Sequence, residues 1–295
     1  MTADEPRTPE SLLPAPAEGR EERVDLDGWD AHILRWGATS SSRVLLLHGF
    51  TSHAPSWQHL ASALVSGAGH EVAALDLRGH GRSGATDRYG TRVLVEDVRS
   101  LLYALGWERA SVVGQSMGGA TAFMFAARYP ARVDRIVVID AGPEVAPEGG
   151  ARIRANVGRL DVFASIDDAL DDARVWFPGA DEELLRHRVQ HNMVPAADGK
   201  LTWRTAPELR DGTAPRDDFT AEERWAAWRT VSAPTLLVHG ADSDVLTYPL
   251  VQDLRNARPD IEVVGIEGAG HAIPLDQPGP LAAAVGRFLA SPERS

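Results

Sequence analysis

Within Val112–Phe123, VVGQSMGGATAF, a run of β-branched residues gives way to Ser116 set among Gly114, Gly118 and Gly119, followed by a helix-forming stretch. A hydroxyl flanked by residues with almost no side chain, at the end of an apolar run, limits this part of the chain to a strand that turns tightly into a helix. The same strand-then-helix unit recurs along the sequence. Apolar strands are expected at Val44–Leu47, Val72–Leu77, Ser111–Val113, Ile136–Ile139, Thr235–Val238 and Glu262–Ile266. Between them, Trp57–Leu64, Val93–Leu105, Ala120–Ala127 and Leu281–Leu289 carry apolar residues at helical spacing. Such alternation predicts an α/β protein, a mainly parallel, doubly wound sheet with helices on both faces.

The alternation fails between Pro143 and Arg229, where helical patterns at Ala151–Leu160, Ser165–Phe177, Asp181–His191 and Ala221–Thr230 have no buried strand between them. Residues 144–229 are therefore expected to form an inserted helical cap, with 24–143 and 230–295 as the core. Ile153, Val157, Leu160, Phe163, Trp176 and Phe177 are its candidate lid residues. Residues 1–23, rich in proline, glutamate and alanine without an apolar period, read as a flexible leader.

Composition narrows the function. The net charge of −12 opposes binding to phosphate backbones and anionic lipid, no basic patch offsets it, and the apolar runs are too short to span a bilayer. Neither nucleic acid nor membrane is expected as a partner; a small, neutral, largely apolar molecule fits better. No cysteine is present, which excludes disulfides, thiolate nucleophiles and cysteine-based zinc sites. The first residues, MTADEPRTPE, are acidic where a secretory signal would be basic, so cytoplasmic residence is the default expectation. Oligomeric state is left open.

Gly114-Gln115-Ser116-Met117-Gly118 fits G-x-S-x-G, a nucleophile elbow, in the strand–turn–helix context that motif requires. The turn would hold the hydroxyl above the sheet, and the helix starting at Met117 would point its partly positive end at it. Serine needs a base. Of the ten histidines, His271 alone follows the last predicted strand on a glycine-rich loop. His48-Gly49-Phe50, after Val44–Leu47, can approach the elbow through Gly49, so the amides of Phe50 and Met117 are the expected oxyanion donors, each worth about 3 to 4 kcal/mol of transition-state stabilisation. Phe50, Trp57, Phe163, Trp176 and Phe177 are expected to shape an apolar pocket. Glu183, His187 and His191 share a helix face but lie in a strongly charged, solvated stretch, so no metal is expected, and no dinucleotide fingerprint or P-loop calls for another cofactor.

LLLHGF, DLRGHGRSG (Asp76–Gly84), GQSMGG, HGADSD and GAGHAIPLDQP occur in an order that resembles the α/β-hydrolase superfamily, from about Val24 to the C-terminus. The resemblance implies a serine, acid, histidine chain order, with the Arg78–Gly84 loop a structural turn whose arginines brace loops. Two places compete for the acid. In many relatives it follows the strand after the cap, where this chain has Ser243 between Asp242 and Asp244; in a branch including haloalkane dehalogenases and some serine esterases it ends the strand after the nucleophile's helix, here Asp140. Asp140 is the first choice because adjacent strands lie ~4.8 Å apart; Asp244 is second and Asp242 third.

The implied activity is acyl transfer to water: a serine hydrolase cleaving an ester, thioester or lactone. Superfamily members with an aspartate nucleophile, the dehalogenases and epoxide hydrolases, do not match Ser116. Carbon–carbon hydrolases of diketone-like substrates usually carry asparagine before the serine and tryptophan after the histidine, where this chain has Gln115 and Ala272. A hydrolase-like ligand receptor with little turnover is the non-enzymatic alternative.

Overall fold

The computed structural model describes residues 18–159 and 162–291. In chain order the strands are β1 (Arg20–Leu26), β2 (Trp29–Trp36), β3 (Arg43–Leu47), β4 (Glu71–Leu75), β5 (Ala110–Gln115), β6 (Val133–Ile139), β7 (Val162–Phe163), β8 (Met193–Pro195), β9 (Leu201–Trp203), β10 (Thr235–Gly240) and β11 (Glu262–Ile266). The helices are α1 (Gln58–Ala68), α2 (Thr91–Ala104), α3 (Met117–Arg128), α4 (Pro147–Val157), α5 (Ile166–Trp176), α6 (Glu182–Asn192), α7 (Pro207–Arg210), α8 (Ala221–Thr230), α9 (Tyr248–Ala257), α10 (Ile273–Asp276) and α11 (Pro278–Ala290). None of the described helices is long and apolar enough to cross a membrane.

The main sheet runs β1-β2-β4-β3-β5-β6-β10-β11, antiparallel across β1-β2-β4 and parallel thereafter. Side chains alternate between its faces with the period of two that a strand imposes. Leu45 and Leu47 of β3 join Val112, Ile136 and Val138 in one buried cluster with α2 and α3, whereas Val44 and Leu46 join Val113, Val137 and Ile139 in a second beneath α1 and α11. Because both faces are covered, the parallel strands are apolar almost throughout. The register sets Leu47 opposite Gly114 and Gln115 opposite Ile139, so the loops after β3, β5, β6 and β10 emerge along one edge.

Three expectations need correction. Arg20–Arg23, assigned to the leader, form the start of β1; the leader up to residue 17 lies outside the described residues. β1 is an edge strand with its charged side chains largely in solvent, so it lacks an apolar run. Its usable signal is Asp27-Gly28, both at positive φ, a pairing favoured in two-residue hairpin turns. Second, the inserted segment is not purely helical, because β7, β9 and β8 form a small sheet beside α5 and α6; strands two or three residues long carry too little periodicity to read. Third, α8, assigned to the cap, packs on the main body. Its Trp228 is fully buried edge-on against Phe123 of α3 (centroids 5.5 Å, 88°), and its indole donates to Leu254 O at 3.1 Å. The chain has already returned by Pro215–Asp217, whose backbone pairs with Tyr89.

Candidate active site

Ser116 joins β5 to α3 at φ 54°, ψ −115°, a conformation that costs a non-glycine residue on the order of 1–3 kcal/mol. Its amide donates to Ile139 O at 2.9 Å and its carbonyl accepts from Ala120 at 2.9 Å, tying the strained residue to β6 and to the first turn of α3. The flanking glycines are sterically required. A Cβ on Gly114 would lie 2.1 Å from Gly118 O, and one on Gly118 would lie 2.1 Å from Leu47 O. Backbone blocks both positions, and backbone cannot rotate away.

His271 reaches the hydroxyl from the loop between β11 and α10. Its Nε2 lies 3.0 Å from Ser116 Oγ and its Nδ1 lies 2.7 Å from Asp140 Oδ2. The loop is held by Gln115 Nε2, donating to His271 O at 3.1 Å, and by Gly270 N, donating to Asp276 Oδ2 at 2.9 Å. Asp140, fully buried just after β6 at φ 46°, also accepts from Gly240 N at 3.1 Å through Oδ1 and from Ser243 Oγ at 2.6 Å through Oδ2. An anionic acceptor on Nδ1 places that proton on the Asp140 side and leaves Nε2 with a lone pair toward Ser116. The three side chains form one hydrogen-bonded chain.

The competing acids lie elsewhere. Asp244 pairs bidentately with Arg152 of α4 at 2.6 and 2.7 Å, and the Arg152 hydrogen bond holds its carboxyl below the usual range. Asp242 lines an outer cleft. Ser243, which the resemblance sets at the place of the usual acid, was not among the expected site residues. Besides donating to Asp140, its hydroxyl accepts from the amides of Val245 and Leu246, both at 3.2 Å, and so shapes the turn that delivers it. The sequence signal was a short hydroxyl side chain in a turn, of the type that bonds backbone two or three residues on.

The loop after β3 approaches the elbow through Gly49, where a Cβ would lie 2.2 Å from Gln115 Oε1 and 3.3 Å from Ser116 Cβ. His48 braces this loop. Its Nδ1 lies 2.8 Å from Gly49 O and its Nε2 accepts from Leu77 N at 3.0 Å, while burial pulls its pKa down and favours the neutral ring these contacts need. The Arg78–Gly84 loop is built around Asp76. Burial alone would raise the Asp76 pKa, but the hydrogen bonds from His32 and from the amides of Ala54 and Arg82 bring it to about 2. Arg78 clamps Asp97 at 2.6 and 2.7 Å and stacks over Trp29.

A carboxyl whose pKa is lower folded than unfolded stabilises the fold above its unfolded pKa, and this contribution is lost as pH falls through the folded value. For Asp76 the window runs from about pH 4 down to about 2, and the contribution is roughly 2 kcal/mol. Urea unfolding between pH 5 and 2 should therefore show a decline in the wild type that exceeds the decline in Asp76→Asn by about that amount; equal declines would reject the assignment.

A cleft opens over Ser116 and His271, lined on the core side by Phe50 and Trp57 and on the inserted side by Ile153, Val157 and Phe177. One pocket expectation fails. Phe163 stacks edge-on against Trp203 inside the small cluster of the insertion, at 5.6 Å. Trp176, under the Arg159 guanidinium, lines adjoining clefts, one of which shares His271, Arg152 and Phe177 with the cleft over Ser116. Leu160 lies outside the described residues. The cleft's polar lining was not anticipated: Thr51 and Ser52 lie on the loop after β3, where hydroxyls carry no pattern, and Arg152, Asn156 and Arg188 lie on helices of the insertion, where such residues read as a wetted surface. Among the described residues no group of three or more histidine, aspartate or glutamate side chains is arranged to hold a metal; His187 and His191 stack on each other at 4.2 Å.

The model of the α/β-hydrolase fold family matches residues 42–278. The chain belongs to that family. It is 31% identical over 255 residues to an esterase of Mycobacterium tuberculosis, an alignment covering 83% of this chain and 81% of that protein. It is 29% identical over 281 residues to the N-formylmaleamate deformylase of Pseudomonas putida, covering 91% and 96%. Among solved α/β-hydrolase structures, E-2-(acetamidomethylene)succinate hydrolase superposes with a TM-score of 0.83 at 25% identity over 92% of this chain and all of that one. Hydrolase activity is the property these relatives share.

Proposed function

We propose that the protein is a serine hydrolase that cleaves an ester, thioester or lactone of a small substrate through an acyl-enzyme. The observation that carries this reading is the chain Ser116 Oγ–His271 Nε2, 3.0 Å, and His271 Nδ1–Asp140 Oδ2, 2.7 Å. Ser116 attacks the carbonyl carbon as its proton passes to His271, which returns it to the leaving alcohol or thiol; water then repeats the sequence, releases the acid and restores the serine. Asp140 orients the imidazole and stabilises the imidazolium. The Phe50 and Met117 amides serve as the oxyanion donors; Gly49, which brings Phe50 beside the elbow, and the start of α3 at Met117 support that role. Residues 144 to about 204 act as the cap over the cleft.

The named esterase supports ester cleavage, and the names of the deformylase and of the succinate hydrolase point to small substrates. A fluorophosphonate is expected to add once, at Ser116, as read by intact mass and peptide mapping, and short p-nitrophenyl acyl esters are expected to turn over. A folded sample that takes no label would favour the receptor. Turnover of a vinylogous diketone without any ester would move the chemistry to carbon–carbon cleavage.

A further inference from the structure

Two arginines, Arg152 and Arg188, line the cleft over Ser116, and its lining includes neither aspartate nor glutamate, although the chain as a whole carries a net charge of −12. Arg152 already has a carboxylate, Asp244. Arg188, from α6, does not. Its Nη1 donates to Ser52 Oγ at 2.9 Å, and its Nη2 donates to Thr51 O at 2.9 Å and to Thr51 Oγ1 at 3.3 Å. The guanidinium stands 5.0 Å over the Phe177 ring. A guanidinium has five N–H donors, so these contacts leave Nε and one Nη1 hydrogen without an acceptor among the described residues. Burial and the charge of Arg210 pull its pKa down to about 10, and no acid opposes them.

A part-buried cation without a counter-ion carries a cost, and a planar fork with unused donors is suited to a carboxylate. We propose that the substrate of this site carries a carboxylate, which Arg188 receives, while the carbonyl to be cleaved lies over Ser116. The inference rests on the hydrolase reading above and replaces the neutral molecule expected from net charge with an anion whose remaining body is apolar. Ile153, Val157, Phe177 and Trp57 provide the apolar contact, and Thr51 and Ser52 fix the guanidinium on the segment that directly follows Phe50. Arg188 is thereby a specificity-determining residue.

The test compares charged and neutral esters within each variant, so that any general loss of activity cancels. Mono-p-nitrophenyl adipate against p-nitrophenyl hexanoate places the charge on the acyl side, and 4-carboxyphenyl acetate against 4-methylphenyl acetate places it on the alcohol side, with spontaneous hydrolysis subtracted. In one of the pairs the charged-to-neutral ratio of kcat/KM should fall about 10- to 100-fold in Arg188→Gln, the range of a charge-assisted hydrogen bond, mainly through KM, and recover in part in Arg188→Lys. Ratios that are the same in wild type and Arg188→Gln for both pairs overturn the proposal. Should the glutamine protein fail to fold, the wild-type ratios decide: the proposal stands if one exceeds that of the spontaneous reactions at least 10-fold and falls if neither does. Neutral-ester turnover and a Ser116 adduct with no charge preference sink this inference alone, whereas the absence of both adduct and turnover sinks the hydrolase reading and the inference with it.

Discussion

Replacing Ser116 with alanine is expected to lower kcat on p-nitrophenyl acetate by roughly a million-fold, and His271→Ala by a similar factor. Two members of one proton-transfer unit fail together, because either loss removes the same acyl-transfer step. The double variant should therefore be scarcely slower than either single one. The residual rate over water comes from binding and from the oxyanion donors, which the substitutions leave in place. Ser116→Ala also removes a hydroxyl from a residue held at φ 54° without adding bulk, so its thermal unfolding should stay close to that of the wild type. Turnover within ten-fold of wild type in either single variant would place the chemistry elsewhere in the molecule.

Asp140→Asn should cost about 10,000-fold in kcat, with KM little changed. Asparagine tolerates the left-handed backbone at this position, so geometry survives. Its amide would, however, donate to His271 Nδ1, forcing the proton onto Nε2 and removing the acceptor that Ser116 needs. Asp244→Asn is the control, because Asp244 is bound to Arg152 instead of His271. That pair is about 40% exposed on each side, where ion pairs contribute little, and a loss below ten-fold is expected. Steady-state kinetics of the two variants decide between the acids: a larger loss for Asp244→Asn would reverse the assignment.

Much of the layout was legible along the chain because its signals are local. Apolar runs marked β3, β4, β5, β6, β10 and β11, and a serine among glycines can only be a tight strand-to-helix turn when a Cβ at Gly114 or Gly118 would meet backbone. What misled was also local. The charged residues of β1 concealed an edge strand, and the helical spacing of α8 said nothing about which body it would join, since an apolar helix face does not name its partner.

The sequence by itself therefore determined the α/β class and the tight strand-to-helix turn that carries Ser116, since each is written in neighbouring residues. Only the tertiary structure decided that Asp140 rather than Asp244 meets His271, that Ser243 braces it, that Phe163 leaves the cleft and that Arg188 enters it without an acid. The physical reason is sequence separation. Asp140 meets a histidine 131 residues further on, and Arg188 meets Ser52 across 136 residues, so each pairing is set by the register of the sheet and the seating of α6, which no short stretch of chain encodes.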